Sequence, residues 1–402
     1  MRRRTACIRT KGAQRWLLVA GALTLLAGPA MAAPAGGRGG LGGRFGPPPI
    51  GAHSMLYLNT PFSAMKAMFA QASDLGASDI RLNIEVSSVF PGPAEPRQRQ
   101  SPLTPLQRRA PAIQLPSGGG SHSHPLAHPQ WAGVNRYLRL ARAYHLHVLA
   151  VLTSTPAWMA RCPRGTRSNA IYRCPPNPGD WGRAVGEIAA HTGGVIDAFE
   201  VMNEPDGHWS FLGSPQQYAA VLAASYNAIH TADPTAQVVL GGLMHVDAQG
   251  QRWMNAMLAT RGTDAVHKFD VANLHLRVAP TQVAAVACRW KGYLSAQGFY
   301  GPMWVTETGY PANPAEQNEP GYESGPRAQA HWLTATIPAM LASGVDRVFV
   351  TERDLSRGAY ASEGVLQAPN PLPASPQIRR RPSFYAVQRL ARADLFPVGP
   401  GC

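Results

Sequence analysis

A regular alternation of helical stretches and short apolar runs constrains the fold of this chain more than any other feature. Eight runs rich in Val, Ile, Leu and Ala read as strands, and most of them follow a stretch with helical periodicity. The runs cover residues 50–57, 79–85, 147–153, 195–203, 237–241, 269–275, 303–307 and 346–351. Strands that alternate with helices form parallel βα units. Eight such units, with no GxGxxG turn after a strand, predict a single closed (β/α)8 TIM barrel of the α/β class rather than an open doubly wound sheet.

Helical periodicity predicts helices at 63–75, 131–144, 180–190, 215–230 and 381–393. The clearest of them is 215–230. Ser214 precedes it as an N-cap residue, and Pro215 occupies its first turn.

The first 32 residues have the pattern of a signal peptide. Six positive charges and no acidic residue lie in residues 1–15, an apolar run follows at 16–28, and Ala30-Met31-Ala32 is a small-x-small cleavage site. An uncleaved anchor is the alternative, but the apolar run is short for a bilayer and no stop-transfer pattern follows it. We therefore expect a secreted or periplasmic protein without stable membrane insertion.

Two further segments differ from the barrel pattern. Residues 33–49 are rich in Gly, Ala and Pro and are predicted to form a flexible tether before a single domain at 50–397. Residues 91–129 hold nine prolines, a triple glycine and three histidines, at His122, His124 and His128. The histidines could bind a metal, but their Gly-Ser context offers no fixed geometry, so we predict a long disordered insertion.

The chain is basic, with a formal net charge of +14. Such a charge suits nucleic acid, an anionic membrane or an acidic polysaccharide. No nucleic-acid-binding motif accompanies it, so we expect no nucleic-acid partner, while an acidic glycan remains open. The other interpretation is that the arginines are scattered, solvent-exposed surface residues without a binding role.

Four of the five cysteines lie beyond the predicted signal peptide. An even number in an exported protein permits disulfides, and Cys162 and Cys174 flank a short proline-containing loop, which makes them the natural pair. Closing a loop of this size stabilises by about 3 kcal/mol in the chain-entropy model. A zinc site is the alternative, but no histidine lies at ligand spacing beside them. Cys288 and Cys402 are the two cysteines that remain, and elimination is the only argument for pairing them.

Two predicted strands end in glutamates. Glu204 closes the run 199–204 before Pro205, and Glu307 closes the run 303–307 before a Gly and a Pro. Barrel active sites form at the carboxyl ends of the strands. Hydrolysis of a glycosidic bond needs two carboxyl groups, one protonated and one ionised. These two glutamates can supply that chemistry.

The motifs around these glutamates resemble those of a known group of enzymes. Asn203-Glu204-Pro205 and Thr306-Glu307-Thr308-Gly309 resemble the fourth- and seventh-strand signatures of clan A glycoside hydrolases. The resemblance continues at Arg81, His275 and residues 152–158, 239–242, 344–349 and 381–386, and it covers about residues 50–395. The chain looks similar to the bacterial branch near family 39, which includes β-xylosidases and secreted exopolysaccharide hydrolases.

The resemblance implies a cofactor-free, metal-free retaining glycosidase that acts on β-linked oligo- or polysaccharide, and no protein partner. Glu204 would be the acid/base and Glu307 the nucleophile, with Arg81 keeping Glu307 ionised. The other residues that we expect to bind substrate are Asn203 at the sugar 2-hydroxyl, His275 and Tyr310 as hydrogen-bond donors, and Trp158 and Trp209 as stacking surfaces. The sequence departs from the pattern after His275, where Leu276-Arg277 stands in place of the usual aromatic.

Several alternatives stand beside this interpretation. Glu200 reads as a paired carboxylate deep in the barrel, while Glu85 and Glu352 read as structural or substrate-bonding residues. Trp158 and Trp209 could equally be packing residues. A non-catalytic glycan-binding protein on the same barrel is the alternative function, because fold does not guarantee activity. A metal-dependent hydrolase lacks a convergent set of His and Asp at the predicted strand ends.

Overall fold

The computed structural model describes residues 49–92, 128–316, 325–355, 358, 360–393 and 402. The predicted signal peptide at 1–32, the tether at 33–49 apart from residue 49, and residues 93–127 of the predicted insertion lie outside the described residues. Within the described part of the chain, no helix is long and apolar enough to cross a membrane.

Eight parallel strands form the centre of the molecule, in the order β5-β4-β3-β2-β1-β8-β7-β6. Bridges between Val239 and Val271 and between Leu243 and Leu274 join β5 to β6 and close the sheet into a barrel. The predicted (β/α)8 barrel is thus confirmed. The strands are β1 (Ile50–His53), β2 (Asp79–Glu85), β3 (His147–Thr153), β4 (Ile196–Val201), β5 (Gln237–Leu240), β6 (Ala272–His275), β7 (Met303–Thr308) and β8 (Arg347–Thr351).

Helices alternate with these strands. They are α1 (Phe62–Leu75), α2 (Val86–Val89), α3 (Ala132–Tyr144), α4 (Pro178–Thr192), α5 (Pro215–Ala232), α6 (Ala248–Leu258), α7 (Val283–Ala296), α8 (Pro326–Ala342) and α9 (Pro382–Arg392). The sequence pattern did not predict α2, α6, α7 or α8. For α8 the reason is Pro338, which lies inside the helix although an interior proline normally marks a helix end. A short antiparallel pair, β9 (Leu366–Gln367) and β10 (Arg379–Arg380), precedes α9.

The first strand is shorter than predicted. It ends at His53 rather than continuing to residue 57, because the chain turns at Met55, which has a φ of 49°. The N-terminus of α5 has the predicted form: Ser214 Oγ accepts from Gln217 N, and the Gln217 side chain accepts from Ser214 N, which makes a capping box.

An apolar layer fills the barrel interior on the side of the amino ends of the strands. Gly51 in β1 leaves the space that the Phe349 ring fills, because a Cβ at Gly51 would lie 2.5 Å from that ring. Below this layer, buried Asp79 and Arg347 form an ion pair at the amino ends of β2 and β8. The barrel interior at the carboxyl ends of the strands therefore remains available for polar side chains. The apolar layer consists of Leu149, Ala198, Val239, Val271, Trp304 and Phe349.

Two disulfides are present. Cys162 and Cys174 are bonded, with 4.9 Å between their Cα atoms, which confirms the predicted pair in the segment between β3 and α4. Cys288 in α7 is bonded to Cys402, with 5.1 Å between Cα atoms.

Candidate active site

The two predicted catalytic glutamates lie together at the carboxyl end of the barrel. Glu307 is the next-to-last residue of β7, and Glu204 lies three residues after the end of β4. Glu204, Glu307 and His275 each offer one ligand-type atom, and these atoms lie within 4.8 Å of one another. Since 103 positions separate the two glutamates in sequence, closure of the barrel is what brings them together.

The backbone after β4 explains how two adjacent residues, Asn203 and Glu204, both face the site. Met202 and Glu204 have φ values of 64° and 43°, in the left-handed region that non-glycine residues rarely adopt. Residues held in such conformations cost about 1–3 kcal/mol each and cluster at functional sites. The turn is held by bonds from Met202 N to Leu152 O (3.1 Å) and from Gly207 N to Glu204 O (2.9 Å).

Arg81 is the buried hub of the site. Its Nε and Nη2 donate to the two carboxylate oxygens of fully buried Glu200, each over 2.8 Å. Its Nη1 donates to Glu307 Oε1 (2.8 Å), and its Nη2 also donates to Asn203 Oδ1 (2.7 Å). Glu200 is thus a paired carboxylate in the barrel interior, as the sequence indicated, and it orients the guanidinium that contacts Glu307.

The surroundings of Glu307 favour its ionised form. Burial by itself would raise its pKa, but nearby positive groups outweigh burial and hold the pKa well below its ordinary value. Two of these groups, Arg81 and Arg277, are permanently charged guanidiniums. The groups that lower this pKa are His275, His53, Arg81 and Arg277.

The surroundings of Glu204 favour its protonated form. Burial raises its pKa, and the neighbouring Glu307 carboxylate raises it further, against the opposing effects of His275 and Arg277. His275 Nδ1 lies 2.6 Å from Glu204 Oε1, and its Nε2 lies 3.2 Å from Thr306 Oγ1. The two glutamates therefore have opposite environments, which separates an acid from an anion at one site.

Gly242 provides the space for the His275 ring. A Cβ on this glycine would lie 2.1 Å from His275 Nε2, so a larger residue here would displace the imidazole. The double glycine at 241–242 is one of the motifs that carried the family resemblance, and this contact gives it a physical reason.

His53 and Glu363 belong to the site although the sequence analysis did not select them. His53 Nε2 lies 3.4 Å from Glu307 Oε1, and burial holds its pKa well below its ordinary value. Glu363 accepts two bonds from Arg277, whose Nη2 also donates to Glu307 Oε2 (3.0 Å). His53 lies inside the predicted strand 50–57 and ends the strand only in the structure, so no strand-end signal pointed to it. Glu363 lies beyond β8 outside any strand or helix and had no signal.

The three predicted aromatic residues differ in their surroundings. Tyr310 is buried, and its ring stacks on Trp332 with 5.5 Å between centroids. Trp158 is partly buried and donates from Nε1 to Phe90 O (3.0 Å). Trp209 is 55% exposed, on the same loop as Glu204. Tyr310 and Trp158 thus have packing contacts, and contact with a sugar stays a prediction for all three.

Glu85 and Glu352 have structural contacts. Glu85 Oε2 accepts from Leu58 N (3.0 Å), and Glu352 Oε2 accepts from Ser54 Oγ. Burial raises the pKa of Glu85 to about 7 and that of Glu352 to about 8. These contacts agree with the interpretation of both residues as structural.

The cluster of Glu204, His275 and Glu307 has the spacing of metal ligands, but its charge does not suit a cation. Arg81 donates to one oxygen of Glu307 and Arg277 to the other. A metal ion on Glu307 would have to replace or approach these guanidiniums closely, which is electrostatically unfavourable. The arrangement suits acid, base and nucleophilic chemistry by the side chains themselves.

No protein-family model matches the sequence, and no curated protein matches it. Solved structures do match the fold. A family 39 glycoside hydrolase from Bacteroides cellulosilyticus superposes with a TM-score of 0.55 at 14% identity, over 85% of this chain. This chain spans 63% of that protein's length. The likeness shows that this chain shares its barrel fold with that protein.

Two other similar structures extend this comparison. A GH5 subfamily 18 protein from Streptomyces cattleya, solved in complex with Manβ1-4GlcNAc, has a TM-score of 0.57 at 16% identity, over 89% of this chain and 83% of its own. A family 30 endoxylanase from Clostridium papyrosolvens has a TM-score of 0.51 at 16% identity, over 88% of this chain and 74% of its own. At these identities the likeness concerns the fold, so the activity has to be argued from the site.

Proposed function

We propose that this protein is a retaining glycoside hydrolase that cleaves β-linked oligo- or polysaccharide through a covalent glycosyl-enzyme. The observation that carries the proposal is the pair of buried carboxyl groups with opposite environments, Glu204 with a raised pKa and Glu307 with a lowered one. Glycosidases need this division into one acid and one anion.

In the first step, an ionised oxygen of Glu307 attacks the anomeric carbon. The bond from this carbon to the leaving oxygen breaks, and that oxygen takes the proton of Glu204. Loss of the charge on Glu307 removes one cause of the raised pKa of Glu204, which is then an ionised base. In the second step Glu204 takes a proton from water, the water oxygen attacks the anomeric carbon, and the ester bond to Glu307 breaks.

The distance between the two glutamates supports a retaining reaction. Inverting enzymes separate their carboxyl groups by about 6.5–9.5 Å to admit a water molecule, whereas retaining enzymes hold them about 5–5.5 Å apart. Here one oxygen of Glu204 and one of Glu307 lie within 4.8 Å. The arrangement favours direct attack by Glu307.

The residues around this pair suit a sugar ring. Asn203 is held by Arg81 beside Glu307, which is a suitable place for a bond to the 2-hydroxyl. The exposed ring of Trp209 offers a stacking surface on the side of Glu204, where the leaving group departs. We include His275, Trp158 and Tyr310 among the substrate-binding residues. The β-linkage is also supported by one structural neighbour, which was solved in complex with Manβ1-4GlcNAc.

We also propose that the protein is exported and that residues 50–397 form one catalytic domain. The two disulfides support export, because disulfides persist in oxidising compartments such as the periplasm and the extracellular space. The predicted signal peptide supplies the route.

Product release from a panel of bacterial and plant polysaccharides tests this function. The wild type is compared with Glu307→Gln and Glu204→Gln, and Glu352→Gln serves as a matched control because it also replaces a buried glutamate near a strand end. We expect cleavage of at least one β-linked polymer by the wild type and the control, and a loss of at least 1,000-fold in both active-site variants. Proton NMR of the first product should show the β-anomer.

Three results would contradict the proposal. Equal cleavage by Glu307→Gln would exclude Glu307 as the nucleophile. Binding of a glycan by both wild type and Glu307→Gln, without cleavage of any polymer over a range of pH, would favour the non-catalytic glycan-binding protein. Loss of activity with a chelator would point to a metal-dependent reaction instead.

A further inference from the structure

Arg277 and Glu363 form a buried ion pair next to the proposed nucleophile. Arg277 Nε donates to Glu363 Oε2, and Arg277 Nη2 donates to Glu363 Oε1, both over 2.7 Å. The Glu363 side chain is 1% exposed and that of Arg277 is 15% exposed. Two parallel bonds between planar groups fix the orientation of the guanidinium.

The surrounding residues hold Glu363 in place for this contact. Thr351 Oγ1, at the end of β8, donates to Glu363 Oε1 (3.1 Å). Gly309, just after β7, makes room for the carboxylate, because a Cβ there would lie 2.8 Å from Glu363 Oε2. Glu363 therefore occupies a fitted site between the ends of β7 and β8.

Through this pair, the second oxygen of Glu307 gains a fixed donor. Arg277 Nη2 donates to Glu307 Oε2 (3.0 Å), while Arg81 Nη1 donates to Glu307 Oε1 (2.8 Å). One guanidinium comes from β2 and the other from the residues after β6. A carboxylate held at both oxygens cannot rotate freely, and an opposite charge within hydrogen-bond distance favours its ionised form.

The existing contacts of Arg277 argue against it as a receptor for an acidic sugar. In the described residues next to the Glu204–Glu307 pair, the guanidiniums of Arg81 and Arg277 face three carboxylates. A sugar carboxylate would therefore have to compete with Glu307 and Glu363 for a guanidinium that both already contact. The three carboxylates are Glu200, Glu307 and Glu363.

We propose that Arg277, held by Glu363, is a positioning residue that fixes the second oxygen of Glu307 and keeps this carboxylate ionised for attack. The role of Arg277 in nucleophilic attack rests on the proposed function, whereas the electrostatic coupling between Arg277 and Glu307 is a property of the folded protein. The groups that face Glu307 are His53 from β1, Arg81 from β2, Glu204 from the loop after β4, and His275 and Arg277 from the end of β6.

The test is a carbon-13 NMR titration of the full-length protein with labelled glutamate carboxyl groups. The Glu307 signal is assigned by its absence in Glu307→Gln. The double variant Arg277→Met/Glu363→Gln removes both charges together, so that neither is left buried alone. We expect the midpoint of the Glu307 titration to rise by about 1 pH unit or more, because one of its two guanidinium neighbours is lost. Glu352→Gln, as the control, should leave the midpoint unchanged.

An unchanged Glu307 midpoint in a double variant that is folded by circular dichroism would overturn the proposal. If the double variant does not fold, the Glu307 midpoint is measured in Arg277→Lys instead, because this variant retains a cation and disturbs the interior less. Lysine has a single ammonium group and cannot reproduce the two-point contact. The Glu307 midpoint should then rise by a smaller amount, and a midpoint equal to that of the wild type would equally overturn the proposal.

Kinetics separate this inference from the proposed function. With any glycan that the wild type cleaves, the acid limb of kcat/KM in the double variant should move to higher pH by the same amount as the NMR midpoint. kcat should fall about 10-fold or more while KM changes little. If no glycan is cleaved, the proposed function fails and the titration still decides the coupling. Cleavage with an unmoved midpoint would refute the positioning role alone.

Discussion

Glu352 gives the sharpest test of the electrostatics of this barrel, because the test needs no knowledge of the substrate. The side chain is fully buried after β8, and its Oε1 has no hydrogen-bond partner among the described residues. Burial raises its pKa from 4.5 to about 8, against the lowering effects of Ser54 and Arg353. Substitution Glu352→Gln keeps the shape and a partner for Ser54 while it removes the charge.

The sign and size of the effect follow from linkage. A carboxyl whose pKa is higher in the folded state contributes stability that is fully present below the unfolded value near 4.5 and is lost as pH rises through about 8. Each pH unit within this window is worth about 1.4 kcal/mol. Between pH 5 and pH 7 the wild type should therefore lose about 2.5 kcal/mol that Glu352→Gln does not lose.

Chemical denaturation at several pH values measures this difference. The stability of Glu352→Gln relative to the wild type should be close to zero near pH 5 and should become favourable towards pH 8. Glu187→Gln, an exposed glutamate on α4, is the control and should show no such trend. A difference between Glu352→Gln and the wild type that stays constant from pH 5 to pH 8 would refute the reasoning.

Four further predictions follow from the site and its surroundings. The pH profile of kcat/KM should be bell-shaped, with an acid limb below the ordinary glutamate range from Glu307 and an alkaline limb above it from Glu204, and a steady-state pH series checks this. Replacing Cys162 and Cys174 by serine should lower the free energy of unfolding by about 3 kcal/mol, measured in urea without reductant. Trp209→Ala should raise KM for a polymer about 10-fold and leave kcat on a small aryl glycoside nearly unchanged, if stacking contributes about 1.4 kcal/mol. A 4-nitrophenyl β-glucuronide should be a poorer substrate than the matching β-glucoside, and the reverse preference would contradict the pairing of Arg277 with Glu307 and Glu363.

Sequence pattern predicted the elements that depend on local information. The strands at 79–85 and 147–153 have the predicted limits because the first alternates polar and apolar residues and the second has an apolar run at 148–152. The N-cap at Ser214 was equally local. Pattern did not predict α8, because Pro338 inside it acts as a breaking signal that tertiary packing overrides.

The site residues also divide into those whose position could be predicted from strand ends and those whose contacts depend on the folded barrel. Glu204 and Glu307 were predictable because parallel strands bring their carboxyl ends to one edge of the barrel. Tyr310 directly follows the β7 motif, yet its ring stacks on Trp332 of α8. The partner of this ring lies 22 positions away in the sequence, so the strand pattern could not predict the contact, and contact of Tyr310 with a sugar stays a prediction.

The amino-acid sequence by itself determined the barrel and the pair of glutamates at its carboxyl end, because both follow from periodicity and from strand ends. Only the tertiary structure decided which groups surround each glutamate. Arg277 meets Glu363 across 86 positions, and Arg81 meets Glu307 across 226. Such contacts exist only after the barrel closes. The opposite pKa shifts of Glu204 and Glu307 depend on these contacts and on burial, and neither is present in the unfolded chain.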